Sequence, residues 1–93
     1  MPELDVEAAG AVDDLTATDA RILDCLNEGR NVPSNISDEI DRHTKHVSER
    51  LAVLRDAGLV RKVGRDSVSL HEITDHGQRV LDTYREFQSA LRQ

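Results

Sequence analysis

The side chains with the clearest chemical potential are the basic ones between residues 42 and 65. This segment holds seven cations and only two acids, Glu49 and Asp56, although the chain of 93 residues carries a formal net charge of −6. Lysine and arginine are the side chains that neutralise the phosphates of nucleic acids. The cations are Arg42, Lys45, Arg50, Arg55, Arg61, Lys62 and Arg65. The segment therefore predicts an anion-binding surface in an otherwise acidic protein.

Metal binding is the alternative chemistry for the two histidines of this segment. His43 and His46 are spaced to share one side of a helix, but a site needs more ligands, and Cys25 is the single cysteine. We therefore expect no metal and no cofactor, with Cys25 as a small residue of the core. His71 and His76 are expected at the surface. No nucleophile with a base, glycine-rich phosphate loop or carboxylate pair is recognisable, so we expect no enzyme.

Helical periodicity predicts three helices in the first part of the chain. They cover about residues 16–28, 33–40 and 44–57. Thr16 and Asp19 form a capping-box-like start to the first helix, and Gly58 is a left-handed terminator after the third. The inner face of the third helix repeats at i, i+4 and i+7 through Val47, Leu51 and Leu54. Its opposite face is polar.

The apolar period then changes from helical to alternating. Residues 59–63 and 67–71 alternate around a turn at 64–66, which is typical of a β-hairpin. Thr74 caps a last helix over about residues 75–91. The predicted fold is mainly α with a small β-hairpin (α+β), in the order helix, helix, helix, strand, strand, helix. This order is typical of the winged helix-turn-helix, in which the hairpin is the wing.

Three stretches carry a family resemblance. They are Leu15 to Leu23, the run from Val47 to Ala57-Gly58-Leu59-Val60, and Ile73-Thr74-Asp75-His76-Gly77. In these stretches the sequence resembles winged-helix regulators of the MarR/ArsR type, especially their small haloarchaeal, halophage-repressor-like relatives. The resemblance spans residues 15–81. It implies a dimeric repressor or activator of transcription whose third helix enters the major groove of DNA.

The resemblance implies base contacts at the start of the third helix. The positions are Thr44, Lys45, Ser48 and Glu49, with His46 at their edge. Lys45 could donate to guanine O6 and N7, and Ser48 could bond to several bases. A surface ion pair between Lys45 and Glu49, four residues apart, is the structural alternative.

Other cations of the basic segment are candidates for phosphate contacts. Arg50 and Arg55 could bind phosphate or only solvate the surface. Arg61 and Lys62 alternate faces of a strand, so at most one of them points fully to DNA. Arg65, at the hairpin tip, is the best candidate for a wing contact.

The start of the second helix offers further hydrogen-bond donors. Ser34 and Asn35 could present a hydroxyl, an amide and backbone N–H groups to a phosphate. Helix capping explains the same two residues nearly as well.

The last helix carries an apolar seam that predicts a homodimer. The seam steps +4, +3, +4 in an a/d-like pattern and contains both aromatic residues of the chain. It consists of Val80, Tyr84, Phe87 and Leu91. Packing on the first helix of the same chain is the alternative. A twofold dimer would read an inverted repeat of double-stranded DNA, with half-sites about 34–36 Å apart.

Composition sets the domain boundaries and the expected environment. Residues 1–14 hold five acids, no base and no helical period, so we expect a flexible leader before a winged-helix domain (15–73) and a dimerisation helix (74–93). Ten Arg against two Lys and eleven Asp against seven Glu are typical of halophilic archaea, although a GC-rich genome gives a similar bias. The chain has no apolar stretch of membrane length and no basic N-terminus, so we expect a cytoplasmic protein without a membrane partner.

Two other functions stay open from the sequence. A winged helix can serve as a protein-interaction module without binding DNA, since fold alone does not fix function. A ligand- or metal-responsive sensor is the other possibility, but no residues locate an inducer pocket. The concentration of cations on the third helix and hairpin favours DNA binding.

Overall fold

Five helices and two strands form among the residues that the computed structural model describes, 6–64 and 69–92. The helices are α1 (Val6–Asp13), α2 (Ala17–Asn27), α3 (Pro33–Ile40), α4 (Thr44–Asp56) and α5 (Asp75–Leu91). The strands are β1 (Val60–Val63) and β2 (Leu70–Ile73). The predicted order of three helices, a hairpin and a last helix is confirmed from α2 onward.

The additional helix α1 corrects the expectation of a flexible leader from residue 6 onward, and the first five residues of that predicted leader lie outside the described residues. Ala8 is fully buried in the core, and Ala11 and Val12 are partly buried against it. α1 packs against α5. Alanine allows two helices to approach closely but contributes little to an apolar period, and this is why the sequence pattern concealed the helix. A helix of this length is stabilised by tertiary packing rather than by its own propensity.

Local signals fix the helix ends as predicted. Thr16 Oγ1 accepts from the Asp19 N–H at 3.0 Å, and Asp19 Oδ2 accepts from the Thr16 N–H at 3.2 Å, which completes the capping box of α2. Thr74 caps α5 by accepting from the Gly77 N–H at 3.0 Å. Gly58 follows α4 with a φ of 77°, a conformation that glycine adopts without steric cost.

A single apolar core supports α4 from behind. Besides Ala8, its most deeply buried members are Ile22, Leu23, Leu26, Ile36, Ile40, Val47, Leu51, Leu54, Leu59, Val60, Val80 and Leu81. The predicted inner face of α4 is therefore confirmed. None of the described helices is long and apolar enough to cross a membrane.

The hairpin is tied to the segment between α2 and α3. β1 and β2 pair antiparallel, with Arg61 opposite Glu72 and Lys62 opposite His71. Asn31 forms an isolated bridge to His71, with backbone N···O distances of 3.0 and 2.8 Å. Strand β2 is therefore bonded on both of its edges, by β1 and by Asn31.

Close packing at Gly77 joins the start of α5 to Leu59, which lies between α4 and β1. The Leu59 carbonyl accepts from the Thr74 N–H at 3.0 Å. A Cβ on Gly77 would overlap this carbonyl oxygen and would lie 2.8 Å from Ile73 Cγ1. The glycine of the Ile-Thr-x-x-Gly stretch is thus required by steric contact.

Candidate nucleic-acid interface

The outer face of α4 is open to solvent from its first turn. Val47 is fully buried, whereas the exposed side chains around it are Thr44, Lys45, His46, Ser48 and Glu49. The helical repeat places these polar side chains on the face away from the core. An open depression at this end of the helix is lined by His43, Thr44, Lys45, His46 and Glu49. The structure thus brings the predicted base-contacting residues together on one surface.

The surface ion pair between Lys45 and Glu49 is not formed. Among the salt bridges of residues 6–64 and 69–92, none includes either side chain. The Lys45 ammonium can therefore reach an external acceptor without first breaking an internal pair.

Hydrogen bonds within α3 and from α3 to the first residue of α4 position this surface. Ser37 donates its hydroxyl hydrogen to the Ser34 carbonyl at 2.8 Å. The Thr44 hydroxyl, 2.9 Å from Ser37 Oγ, therefore donates to it. Asp41, in the turn, has a left-handed φ of 56°. The Thr44 hydroxyl thus holds α4 on α3, and its hydrogen is already engaged.

The structure gives Arg50 an internal partner. Its Nε and Nη2 donate to the two carboxylate oxygens of Asp19 at 2.8 and 2.7 Å. The Asp19 side chain is 1% exposed and that of Arg50 is 25% exposed. A bidentate pair of this kind fixes the guanidinium plane. Arg50 therefore ties α4 to the start of α2, whereas the sequence placed it among the DNA contacts.

Arg55 is also engaged within the chain, and its partner is His71. Arg55 Nη1 lies 2.6 Å from His71 Nε2, and His71 Nδ1 lies 2.8 Å from the Ser69 carbonyl oxygen. His71 is 2% exposed, so the expectation of a surface histidine is wrong. It is buried because β2 lies between β1 and the Asn31 bridge, with this side chain on the inner side of the sheet. Burial lowers the pKa of His71.

Of the three cations predicted on the hairpin, the two that the structure describes lie in different surroundings. Arg61 forms an ion pair with Glu72, and the same carboxylate accepts from Arg30 Nε at 2.7 Å. The hydrogen bond from Arg61, more than that from Arg30, holds the pKa of Glu72 below its usual range. Lys62 is exposed on the neighbouring position of β1. Arg65, the predicted wing contact, lies outside the described residues.

Ser34 and Asn35 are exposed in the first turn of α3. The N-cap of this helix is Val32, which makes no side-chain cap, and Pro33 occupies the first turn. Neither Ser34 nor Asn35 is therefore the N-cap residue. Both side chains remain candidates for a phosphate contact.

The predicted seam of α5 separates into a buried and an exposed part. Val80 is fully buried in the core of its own chain, so the prediction of an interface contact is wrong at this position. Tyr84 is partly buried, and its hydroxyl accepts from Gln88 Nε2 at 2.8 Å. Phe87 is 39% exposed and Leu91 is 85% exposed. Within the predicted seam, the apolar surface left for a second chain thus lies at the C-terminal end of α5.

The described residues contain no group of three histidine, cysteine or acidic side chains that could hold a metal ion. Cys25 is buried as predicted and donates its thiol hydrogen to Glu39 Oε2 at 2.7 Å. Burial and the neighbouring Glu39 raise the pKa of this thiol to about 12. The thiol is therefore protonated and unreactive at neutral pH.

Residues that sequence reasoning did not assign to the site decide which cations remain available. Asp19 binds Arg50, Glu72 binds Arg30 and Arg61, and His71 binds Arg55. Asp19 carried a signal, because the predicted capping box required it at the start of α2. The partners of Glu72 and His71 depend on the register of the hairpin, which the sequence pattern did not determine.

Comparisons with known proteins agree with this geometry. The family model of the winged helix-turn-helix phage repressor matches residues 9–88. A solved chain of the hsRosR-S4 complex is similar with a TM-score of 0.82 and 23% identity, covering 89% of this chain and 78% of that one. BldR, a transcriptional regulator from Sulfolobus solfataricus, has a TM-score of 0.79 and 25% identity over 90% of this chain and 63% of its own. The reduced form of the transcriptional regulator YodB from B. subtilis has a TM-score of 0.72 and 19% identity, and the match covers 96% of this chain and 90% of YodB.

The comparisons establish the family of the chain. No curated protein sequence matches it. The family model nevertheless extends from α1 through the helix-turn-helix and hairpin into the last turns of α5. The chain is therefore a DNA-binding transcription regulator that belongs to the winged helix-turn-helix phage repressor family.

Proposed function

We propose that the chain represses transcription as a homodimer, with α4 in the major groove of double-stranded DNA and the hairpin on the adjoining backbone. The observation that carries this proposal is the open polar face of α4, which the core and α3 support from behind. An α-helix about 10–12 Å across fits a major groove about 12 Å wide. The basic segment supplies the charge that the DNA backbone requires.

The exposed side chains of α4 suggest a division of roles. Lys45 donates to guanine, Glu49 accepts from cytosine, and Ser48 bonds to either partner. His46 lies at the edge of this set. Ser34 and Asn35, at the start of α3, contact phosphate and fix the register of the helix on the duplex. Lys62, the exposed cation of β1, contacts the DNA backbone beside the hairpin. Arg65 is assigned to the same backbone from its position in the sequence, whereas Arg61 is held by Glu72.

Lys45→Ala and Ser48→Ala test the groove contacts. The probe is a fluorescein-labelled duplex enriched by the protein from a random-sequence library, and affinity is measured by anisotropy. We expect a loss of about 1–3 kcal/mol for Lys45→Ala and relaxed preference at one base pair. The control is Arg21→Ala, because Arg21 lines a groove with residues of α2, α3 and α5, away from the open face of α4. Equal losses for Lys45→Ala and Arg21→Ala would contradict the proposal.

The dimer is proposed to form through the C-terminal end of α5. Phe87 and Leu91 lie one turn apart and leave an apolar surface that a twofold partner would cover. A second copy of this end would place two α4 helices on an inverted repeat. The double substitution Phe87→Glu with Leu91→Glu is expected to give a monomer in sedimentation experiments. Val53→Glu is the matched control, since Val53 is 47% exposed but lies on α4, and a persistent dimer in the double variant would exclude this interface.

The excess of acids supports a cytoplasmic protein of a salt-accumulating archaeon. Densely placed carboxylates repel one another, and molar salt screens that repulsion. We expect the free energy of unfolding to rise between about 0.1 M and 2 M KCl. Urea unfolding at the two salt concentrations measures this rise, and equal stabilities would point to base composition of the genome instead.

A further inference from the structure

His71 connects the wing to α4 through both nitrogens of its ring. Nδ1 is 2.8 Å from the Ser69 carbonyl oxygen, which only accepts, so Nδ1 carries a hydrogen. Nε2 is 2.6 Å from Arg55 Nη1, and a guanidinium only donates, so Nε2 carries none. The two contacts together require the neutral imidazole with hydrogen on Nδ1.

The elements joined by this ring are the parts of the proposed DNA-binding surface. Arg55 lies in the last turn of α4, and Ser69 lies in the hairpin next to the start of β2. The backbone of His71 is bonded at the same time to Asn31, in the segment between α2 and α3. A buried ring with these partners fixes the angle between the hairpin and α4.

The charged groups facing the ring are both positive. Arg55 approaches from α4, and Lys62 lies opposite His71 on β1. On the third side, Asn31 is uncharged and its amide contacts the Cys25 thiol at 3.6 Å, with Glu39 beyond that thiol. A proton on Nε2 would turn an acceptor into a donor and place two cations in contact.

We propose that His71, acting through Arg55, is the positioning residue that holds the wing against α4, and that DNA affinity requires its ring to stay neutral. This inference rests on the proposed function, because the wing must contact DNA for its orientation to matter. Acidification then releases the wing from α4 and weakens binding, while the core and the open face of α4 stay intact.

The test separates His71 from the histidines near DNA. His43 and His46 are exposed at the start of α4, beside the proposed groove contacts, so both are replaced in every variant that is compared. The background variant is therefore His43→Gln with His46→Gln, and it is compared with the same variant carrying His71→Gln. Glutamine can accept from Arg55 but does not titrate.

Affinity for the enriched fluorescein-labelled duplex is measured between about pH 8 and about pH 5.5. As the pH falls over this range, the affinity of the background variant is expected to drop about fivefold or more. The affinity of the variant that also carries His71→Gln is expected to change by no more than about twofold. Arg55→Gln in the same background is expected to reduce the pH effect, because the opposing cation is removed. Identical pH profiles in background and His71→Gln variants would overturn the role of His71.

Nitrogen NMR shifts of the His71 ring give a readout that does not involve DNA. A neutral ring with hydrogen on Nδ1 at about pH 7 is expected, and a charged ring or the other tautomer would overturn the proposal. If the wild-type chain failed to bind the duplex at about pH 8, both the proposed function and this role of His71 would be contradicted. If the chain bound at that pH but His71→Gln left the pH dependence of affinity unchanged, only the role of His71 would be contradicted.

Discussion

The two ends of α4 carry similar residues but use them differently. At its N-terminal end Lys45, His46 and Ser48 are exposed, and no salt bridge among the described residues holds Lys45. Farther along, Arg50 is locked to Asp19 and Arg55 to His71. The first end is arranged for an external partner and the second for the core and the wing.

This difference shows why a count of cations overstates a binding surface. The basic segment contains seven cations in sequence, but in space several of them meet acids or a histidine from other elements. A bidentate pair fixes the orientation of the guanidinium, so that the side chain is not free to turn toward a phosphate of DNA. Arginines of this kind act on DNA binding indirectly, by fixing the helix that carries the contacts.

The largest effect is expected at the buried partner of Arg50. Asp19→Ala removes both the capping box of α2 and the only charge partner of Arg50 among the described residues. We expect the free energy of unfolding to fall by about 3 kcal/mol, because a partly buried guanidinium is left without its partner. Urea denaturation measures this change.

Asp24→Ala is the matched control for that prediction. Asp24 also pairs with an arginine, Arg85, but both side chains are about half exposed, at 57% and 47%. Exposed pairs contribute about 0–1 kcal/mol. If both aspartate variants lost equal stability, the contrast between a locked and a solvated arginine would be wrong.

The next effect separates binding from stability among the cations of the basic segment. Lys62→Gln is expected to leave stability nearly unchanged and to lower the slope of log affinity against log salt by about 0.9, the value for one neutralised phosphate, because Lys62 is the exposed cation proposed to contact the DNA backbone. Arg50→Met is expected to destabilise the fold while leaving that slope unchanged. Anisotropy titrations in KCl, at a temperature where both variants stay folded, measure both slopes. A reduced slope for Arg50→Met would place its charge on DNA after all.

The same contrast explains what could be predicted from the sequence. The inner face of α4, the caps at Thr16 and Thr74, and the terminator Gly58 depend on residues close together in the chain, so local patterns reveal them. The exposed residues at the start of α4 follow from the same periodicity.

Long-range partners could not be predicted in this way. The pairs Arg50–Asp19 and Arg55–His71 join residues 31 and 16 positions apart. Val80 has the spacing of an interface residue, but the core of its own chain covers it because α5 folds back on the other helices. α1 was missed because its apolar side is built of small residues that are recognised only once α5 is in place.

A smaller effect concerns the pH dependence of folding at the wing end of α4. Burial, and then Arg55 and Lys62, lower the pKa of His71 below its ordinary value of 6.5. The unfolded chain therefore binds a proton more readily than the folded chain does. The stability contributed by neutral His71 is complete above pH 6.5 and is lost as pH falls through the lower pKa of the folded state.

His71→Gln is the comparison that isolates this contribution, because other groups titrate equally in both proteins. Urea unfolding between about pH 8 and about pH 5 should show stability falling more steeply in the wild type than in the variant. Parallel curves would mean that the His71 ring has the same proton affinity in the folded and the unfolded chain.

The smallest effect is expected in the turn that sets the exposed end of α4. Asp41 has φ and ψ of 56° and 56°, a left-handed conformation that costs a residue with a side chain about 1–2 kcal/mol, less for aspartate. Asp41→Gly removes this strain but gives the unfolded chain more freedom, and the two effects leave a gain of about 0.5 kcal/mol or less. Asp41→Val, with a β-branched side chain in the same conformation, is expected to lower the free energy of unfolding by about 1–2 kcal/mol.

Because the Ser37–Thr44 hydrogen bond still joins α3 to α4, Asp41→Gly should bind the duplex as tightly as the wild type. An affinity that changed with Asp41→Gly, at unchanged stability, would show that the turn itself, and not only the face of α4, contacts DNA.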